Sequence, residues 1–400
     1  QNLFPEIKSK GQCEKIMNYI LKYAKDNDNY NIKYAYDLTM ILNGEYYNPY
    51  DNWLKVGWTL KKISPLLYPC WLLFSSKSEK FDWEFHDCYD EWYNRSKYDE
   101  SRAPTIGSLK YWAKKCDIGK VTEIHEQNIK FYLYKTLSSC TEYDIAELVH
   151  ALYQDDYKCT NISKKCWYEF KNGRWRDIDS GTSLRQALSH RIAKLYHKEV
   201  QEALMNAEDI NVEDDKKEKN MEAARLAEMA LKLKTTKWKQ NIMRECCELF
   251  YDGKFINKLD TNMDLMCFNN GVIDFGKKKF RQGEPSDHLS LCTNTDYVEL
   301  DPDNEDHIRI KNEITEFMQQ LFPDKNVNKY MWEHLVSILK GGNKNQTFNI
   351  YTGSGRNGKS KLVTLMGMVL GDYKGSVPLT LITRERTSIG SVSPEVAQLA

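Results

Sequence analysis

Eight consecutive residues, Gly353 to Ser360, have the types and spacing needed to hold a phosphate chain. They read Gly-Ser-Gly-Arg-Asn-Gly-Lys-Ser, which matches the pattern G-x-x-x-x-G-K-[ST] of phosphate-binding loops. In such a loop the glycines let backbone N–H groups turn inward around phosphate oxygens. The helix N-terminus that follows adds partial positive charge. The sequence therefore predicts a nucleoside triphosphate site, with ATP as the expected nucleotide.

The members of this pattern have separate expected roles. The amine of Lys359 would reach the β- and γ-phosphates, and the hydroxyl of Ser360 would hold Mg²⁺. ATP and Mg²⁺ are thus the expected cofactors, and these two side chains are the expected catalytic residues. The remaining positions would supply the turn and its backbone donors, and they are Gly353, Ser354, Gly355, Arg356, Asn357 and Gly358. A glycine-rich surface turn is the structural alternative.

The elements on either side of the loop are those that the pattern requires. Residues 347–352 predict a strand and residues 361–370 predict a helix. A strand, a glycine loop and a helix in this order are the context in which the pattern binds phosphate. Two further helices, over 307–321 and 329–339, are predicted to lead into this segment.

The rest of the chain predicts more than one domain. Residues 1–33 read as a linker with a short helix, and residues 34–117 read as a helical segment rich in tryptophan. Their aromatic side chains follow a helical period, which favours a core over nucleic-acid stacking platforms. Helices are predicted over 51–60, 83–93, 107–115, 141–152, 184–206 and 221–250. Asn-Gly turns predict β-hairpins over 166–178 and 265–275.

Overall charge does not indicate a nucleic-acid partner. The 400 residues include 57 basic and 57 acidic side chains, so any such surface must be a local patch. A charged stretch, residues 208–220, and a basic stretch, residues 277–281, could contact DNA phosphates, although the patterns favour a solvated face or loop for the first and a solvated turn for the second. No apolar run approaches the ~20 residues that span a bilayer, and no membrane partner is expected.

The surroundings of the loop narrow its use, because kinases, GTPases, transporters and helicases all share the pattern. They resemble superfamily 3 helicases of the poxvirus primase-helicase type, at residues 339–346, 348–353, 357–360, 370–373 and 393–399. Upstream, residues 268–275 look like a hairpin of that family's helicase N-terminal region. Similarity to the family's small helical primase C-terminal domain lies at residues 53–60, 83–92 and 107–113.

The resemblance implies a multidomain α+β fold with a definite order. After the linker of residues 1–33, residues 34–117 would form the helical primase C-terminal-like collar. Residues 118–300 would form the helicase N-terminal region, a mixture of helices and hairpins. Residues 301–400 would begin a P-loop ATPase core of the AAA+ type.

The resemblance also implies an ATP-dependent replicative DNA helicase, part of a viral primase-helicase. It would assemble as a ring, expected to be a hexamer, and unwind duplex DNA in the host cytoplasm. The expected partners are DNA, further copies of the chain and other replication proteins. One alternative is a nucleotide-gated DNA-loading or assembly module without productive unwinding. A P-loop nucleotide kinase is the other, and the long helical N-terminal region and the absence of a visible arginine-rich lid argue against it.

The two ends lead us to expect a piece of a longer chain. The first residue is Gln1 rather than an initiator Met, and residues 393–400 look like an interrupted helix. The second acidic motif, the sensor residue and the arginine finger of the family would then follow Ala400.

We predict that residues 1–400 alone bind ATP weakly and hydrolyse it slowly. Hydrolysis needs a water-orienting acid and a charge clamp on the γ-phosphate, which we expect to lie outside these residues. Phosphate release under steady-state conditions tests this, and a turnover in the range of typical ATPases would contradict it.

Overall fold

The computed structural model describes residues 3–26, 30–94, 104–208, 212–342 and 347–377. The described chain is a mixture of helices and small sheets in which helix predominates. It divides into two compact units, residues 1–165 with 179–251 and residues 166–178 with 252–400. These divisions do not coincide with the predicted domain boundaries at residues 118 and 301, which stay predictions.

The first unit is built from helices and one short strand, β1 (Tyr157–Asn161). A π turn over Leu188–Ile192 joins the tenth and eleventh helices. In chain order the helices are α1 (Lys10–Asp26), α2 (Tyr30–Ile41), α3 (Gly44–Tyr47), α4 (Tyr50–Ile63), α5 (Tyr68–Ser75), α6 (Cys88–Tyr93), α7 (Ile106–Cys116), α8 (Ile118–Ser139), α9 (Glu142–Tyr153), α10 (Thr182–Ala187), α11 (Ala193–Glu208), α12 (Glu213–Lys232) and α13 (Thr236–Leu249).

Tryptophan rings form the centre of the N-terminal helical core. Trp71 is buried on α5 and stacks on Trp53 of α4, with ring centroids 4.4 Å apart. The buried ring of Trp92 lies 5.4 Å from Trp71 on another side. Each such ring removes a large apolar area from water. The prediction that these aromatic side chains form a core is therefore confirmed.

The segment predicted as a linker with a short helix, residues 1–33, contains α1 and contributes to the core. Ile7 precedes this helix and is buried, and Cys13, Met17 and Ile20 of α1 are buried in the same core as the tryptophans. Their spacing of four and three residues places them on one helix face. The polar residues between them dominate the composition, which is why the segment reads as a linker.

The helix predicted over residues 83–93 covers only α6. Before it, the Asp82 carboxylate accepts a hydrogen bond from the Glu84 N–H at 2.8 Å, which makes a turn. The ring of Phe81 stacks on His86 at 5.1 Å, and the His86 side chain bonds to the Ile7 carbonyl at 2.8 Å. These contacts hold residues 81–87 in a turn, so the helix begins at Cys88.

The helix predicted over residues 221–250 is two helices, α12 and α13. Thr235 lies between them, and its hydroxyl donates to the Lys232 carbonyl at 2.8 Å. The α12 helix also starts earlier than predicted, at Glu213, within the charged stretch 208–220. Three acidic residues in its first turn favour that start, because negative charge stabilises a helix N-terminus.

The second unit contains two antiparallel strand arrangements, and both predicted hairpins are confirmed. One is β2 (Cys166–Lys171) with β3 (Arg174–Asp179), joined at Asn172 and Gly173, which both have positive φ. The other is a sheet of β4 (Leu265–Phe268), β5 (Gly271–Asp274) and β6 (Lys279–Arg281), in that order. Met266 pairs with Ile273, and Ile273 pairs with Phe280.

Three helices follow this sheet, α14 (Glu305–Leu321), α15 (Lys325–Leu339) and α16 (Lys359–Leu370). They share a small core of buried side chains, Met318, Met331, Leu335 and Leu362. The helices predicted over 307–321, 329–339 and 361–370 are thereby confirmed, each with an earlier start. None of the helices in the described ranges is long and apolar enough to cross a membrane.

The strand predicted over residues 347–352 is not present. These residues are irregular in the structure, and Phe348 and Ile350 are 72% and 71% exposed. A strand exists only when a neighbouring strand completes its hydrogen bonds. Within the described residues no strand pairs with this segment.

We predict that Gly57→Ala destabilises the helical unit. An added Cβ would lie 2.6 Å from Cε2 of the buried Trp71, and overpacking of this kind costs about 1–3 kcal/mol. Gly11→Ala is the matched control, because Gly11 lies in α1 with no atom within 4 Å of its added Cβ. Thermal unfolding should show a lower midpoint for Gly57→Ala alone. A midpoint as high as that of the control would contradict the packing described here.

Candidate nucleotide-binding loop

The glycine pattern folds into a tight turn at the start of α16. Gly355 and Gly358 have φ of +96° and +78°, and Arg356 between them has φ of +49°. Gly358 is the residue immediately before α16, and Lys359 and Ser360 begin the helix. The loop is largely exposed, while Gly358 and Lys359 are half-buried. A glycine turn therefore leads directly into a helix N-terminus, as the sequence predicts.

Gly358 is required at its position for two reasons. Its positive φ is a conformation that side chains with a Cβ adopt at a cost. In addition, an added Cβ would overlap the Leu321 side chain at the end of α14. Leu321 packs against the core shared by α14, α15 and α16. The close approach of the Gly358 backbone to Leu321 is what places the loop against the helices.

Lys359 lies over the backbone at the beginning of the loop. Its Nζ donates to Oδ1 of Asn357 at 2.7 Å. A Cβ added to Gly353 would lie 2.5 Å from the same Nζ and would overlap the Asn357 amide. Gly353, the first residue of the pattern, and Lys359 near its end are thus brought together, and the Lys359 amine lies within the turn. This is the arrangement expected of a cationic cradle for phosphate oxygens.

Ser360 is exposed in the first turn of α16, beside Lys359. Its carbonyl accepts a hydrogen bond from the Thr364 hydroxyl at 2.8 Å, as is usual within a helix. An exposed hydroxyl at a helix N-terminus next to a phosphate cradle has the chemistry to be one oxygen ligand of Mg²⁺, which then keeps several waters. No group of three or more acidic, histidine or cysteine side chains in the described residues could hold a metal ion by itself.

Three side chains at the entrance of the loop, Tyr351, His334 and Tyr330, were not selected from sequence patterns. The Tyr351 hydroxyl and His334 Nε2 are 2.6 Å apart, and the His334 ring stacks on Tyr330 with an interplanar angle of 5°. Burial, followed by the nearby Tyr330, raises the pKa of Tyr351. The spacing of four between Tyr330 and His334 on α15 was the available signal. These contacts attach the residue two positions before Gly353 to α15.

Charged side chains of the two stretches weighed as DNA contacts, residues 208–220 and 277–281, form ion pairs. In the first, Lys219 pairs with Glu222 at 2.6 Å. In the second, Arg281 donates two hydrogen bonds of 2.7 Å to the Asp287 carboxylate. Lys277 lies 3.9 Å from Asp274. These pairs favour the interpretation of both stretches as ordinary solvated surface.

Comparison with protein families identifies two regions. The family described as Primase C terminal 2 (PriCT-2) matches residues 35–113, which contain most of α2 and all of α3 to α7 apart from the end of α7. The family described as D5 N terminal like matches residues 146–325, which include both hairpins and α14. The glycine loop follows the second region along the chain.

Individual relatives come from large DNA viruses. A protein of Acanthamoeba polyphaga mimivirus named "Putative helicase" is 35% identical over 364 residues, which cover 91% of this chain and 37% of the relative. One of Invertebrate iridescent virus 3 with the same name is 26% identical, covering 92% and 42%. One of African swine fever virus named "Putative primase" is 23% identical, covering 88% and 38%.

The chain spans about two fifths of the length of these curated relatives. Within that span the order of the two family regions agrees with the order expected from the sequence, and the glycine loop comes after both. The chain carries a PriCT-2 region and a D5 N terminal like region, and its relatives are viral proteins named as helicases or primases.

Proposed function

We propose that this chain is part of an ATP-dependent DNA helicase that works in viral replication. The observation that carries the proposal is the glycine turn at α16, in which the Lys359 amine is held over the Gly353 backbone. The names of the relatives support the same function, since they are viral helicases and primases by name. A nucleotide kinase gains no support from these names.

The residues of the loop would divide the work of holding ATP. Backbone N–H groups of the glycine turn and the N-terminus of α16 would surround the phosphates, and Lys359 would neutralise charge on the β- and γ-phosphates. Ser360 would supply one oxygen to Mg²⁺, which when bound screens the phosphate charge. Tyr351 and His334 would keep the entering chain in place while the nucleotide binds and leaves.

Ring assembly would turn ATP hydrolysis into movement along DNA. A helicase of this kind would form a ring, expected to be a hexamer, with ATP between neighbouring subunits and one DNA strand inside. Completion of each site by a neighbour would couple hydrolysis to movement along the phosphate backbone. The balanced charge of 57 basic and 57 acidic residues supports local rather than general contacts with DNA.

We predict that Lys359→Ala abolishes ATP-driven unwinding of forked DNA by a protein extended past Ala400. Loss of the cation at the developing phosphate charge should lower ATP turnover about 10²–10³-fold. Lys361→Ala is the matched control, because Lys361 is an exposed lysine two residues further along α16. The control should unwind DNA like the parent.

Other outcomes would change the proposal in distinct ways. Unwinding by Lys359→Ala at the rate of the parent would contradict a motor powered by this loop. A parent that binds ATP and forms rings without unwinding would point to a nucleotide-gated DNA-loading module.

A further inference from the structure

The segment that carries the glycine loop is attached at its beginning to the residues just before β4. The Gly341 N–H donates to the Met263 carbonyl at 3.2 Å. Lys340 Nζ lies 2.7 Å from Oδ1 of Asp264. A Cβ on Gly341 would lie 2.9 Å from Cβ of Met263, so the two backbones are in close contact. The end of α15 is therefore fixed to the entrance of the β4–β5–β6 sheet.

The same segment is attached again where α16 ends, through Asp372. Its carboxylate accepts hydrogen bonds from Arg174 at 2.9 Å, from Nδ2 of Asn294 at 2.6 Å and from the Cys292 N–H at 3.2 Å. The Arg174 side chain is 13% exposed and the Asp372 side chain is 40% exposed, so the guanidinium is the partner that is shielded from water. Burial opposes ionisation of Asp372, but the hydrogen bonds from Asn294 and Arg174 outweigh it and lower the pKa.

The next residue, Tyr373, continues the attachment into the sheet itself. Its hydroxyl accepts a hydrogen bond from the Cys267 N–H of β4 at 2.9 Å and donates to the Leu291 carbonyl at 3.1 Å. The Asp372 N–H donates in turn to the Cys292 carbonyl at 2.8 Å. Gly371, with φ of +54°, allows the chain to leave α16 against the Thr293 backbone. Backbone and side-chain bonds thus lock residues 371–373 onto one edge of the sheet.

The contacts at residues 340–341 and those at residues 371–373 hold the same segment to the region of the β4–β5–β6 sheet. The segment from Gly341 to Tyr373 leaves the sheet region, forms the glycine loop and α16, and returns to the same region. The α16 helix has 12 residues, so it is a stiff rod of about 18 Å. A rod held firmly at its C-terminal end fixes the direction and place of its N-terminal end, where Lys359 lies.

We propose that Asp372 and Tyr373 are positioning residues for the nucleotide loop, acting with Arg174 from the β2–β3 hairpin. They hold the C-terminal end of α16 on the β4–β5–β6 sheet, and the sheet thereby sets the place of Lys359 and the glycine turn. This inference rests on the proposed function, because it assigns to the D5 N terminal like region the task of supporting the ATP site. None of the three side chains touches the loop, so their effect on nucleotide passes through α16.

The first test needs no nucleotide. Hydrogen exchange of the full chain should show faster exchange in residues 353–362 for Asp372→Ala and Arg174→Ala than for the parent. Arg174→Lys should restore most of the protection, because a lysine can still pair with Asp372. Asp303→Ala is the control, since Asp303 is an exposed carboxylate of the same unit. Unchanged exchange at the loop in both alanine variants would overturn the proposal.

The second test measures a fluorescent ATP analogue and steady-state turnover in the protein extended past Ala400. Asp372→Ala and Arg174→Ala should each raise Kd and KM about tenfold and leave kcat within about twofold, whereas Lys359→Ala lowers kcat. The double variant should match the single ones, because both changes remove the same pair. An equal rise of Kd and KM in the Asp303→Ala control would overturn the assignment.

Outcomes for the two proposals stay separate. If the alanine variants do not fold, Tyr373→Phe removes only the hydroxyl with its two hydrogen bonds and is assessed by the same measurements. A parent that binds no ATP analogue would refute the proposed function. Loop exchange that still depends on Asp372 in that case would support the positioning role alone.

Discussion

The contact between the Gly358 backbone and Leu321 is the constraint on which the candidate site depends. It requires a residue without a Cβ, in a backbone conformation that glycine adopts readily, at the last position before α16. Because Leu321 belongs to the core of α14, α15 and α16, the start of α16 is fixed by apolar packing. The polar contacts of the loop depend on that packing, above all the position of the Lys359 amine over the Gly353 backbone. The position of the loop at the surface is thus set by a partly buried leucine that packs against this core.

Apolar packing also fixes the positions of helices in the N-terminal unit. There the stacked rings of Trp53 and Trp71 and the buried ring of Trp92 hold helices that the PriCT-2 match covers. The tryptophan side chains that could suggest base stacking pack in the core instead. Neither these rings nor the net charge, which is zero, indicates a nucleic-acid surface.

Features with local causes could be predicted from the sequence, and features with distant causes could not. The Asn172-Gly173 turn specifies its own hairpin, and the glycine pattern together with the helix after it is encoded by adjacent residues. By contrast, the packing of α1 into the core could not be predicted, because polar residues dominate the composition of that segment. Residues 347–352 form no strand, because a strand depends on a neighbouring strand to complete its hydrogen bonds. The pairing of Arg174 with Asp372 joins residues 198 positions apart, and no local pattern encodes it. The candidate site was therefore predictable in its loop and unpredictable in its support.

The path of the chain between the two units has a consequence for how such a protein can be divided. Residues 166–178 belong to the unit that otherwise begins at residue 252, so the backbone passes between the units three times. A gene fragment that starts at residue 252 would encode α16 and Asp372 without Arg174, and one that ends at residue 251 would carry the β2–β3 hairpin without the rest of its unit. Exchange of whole modules by recombination would break the support at either cut. The two units are thus expected to be inherited together, whatever motor or primase segments accompany them.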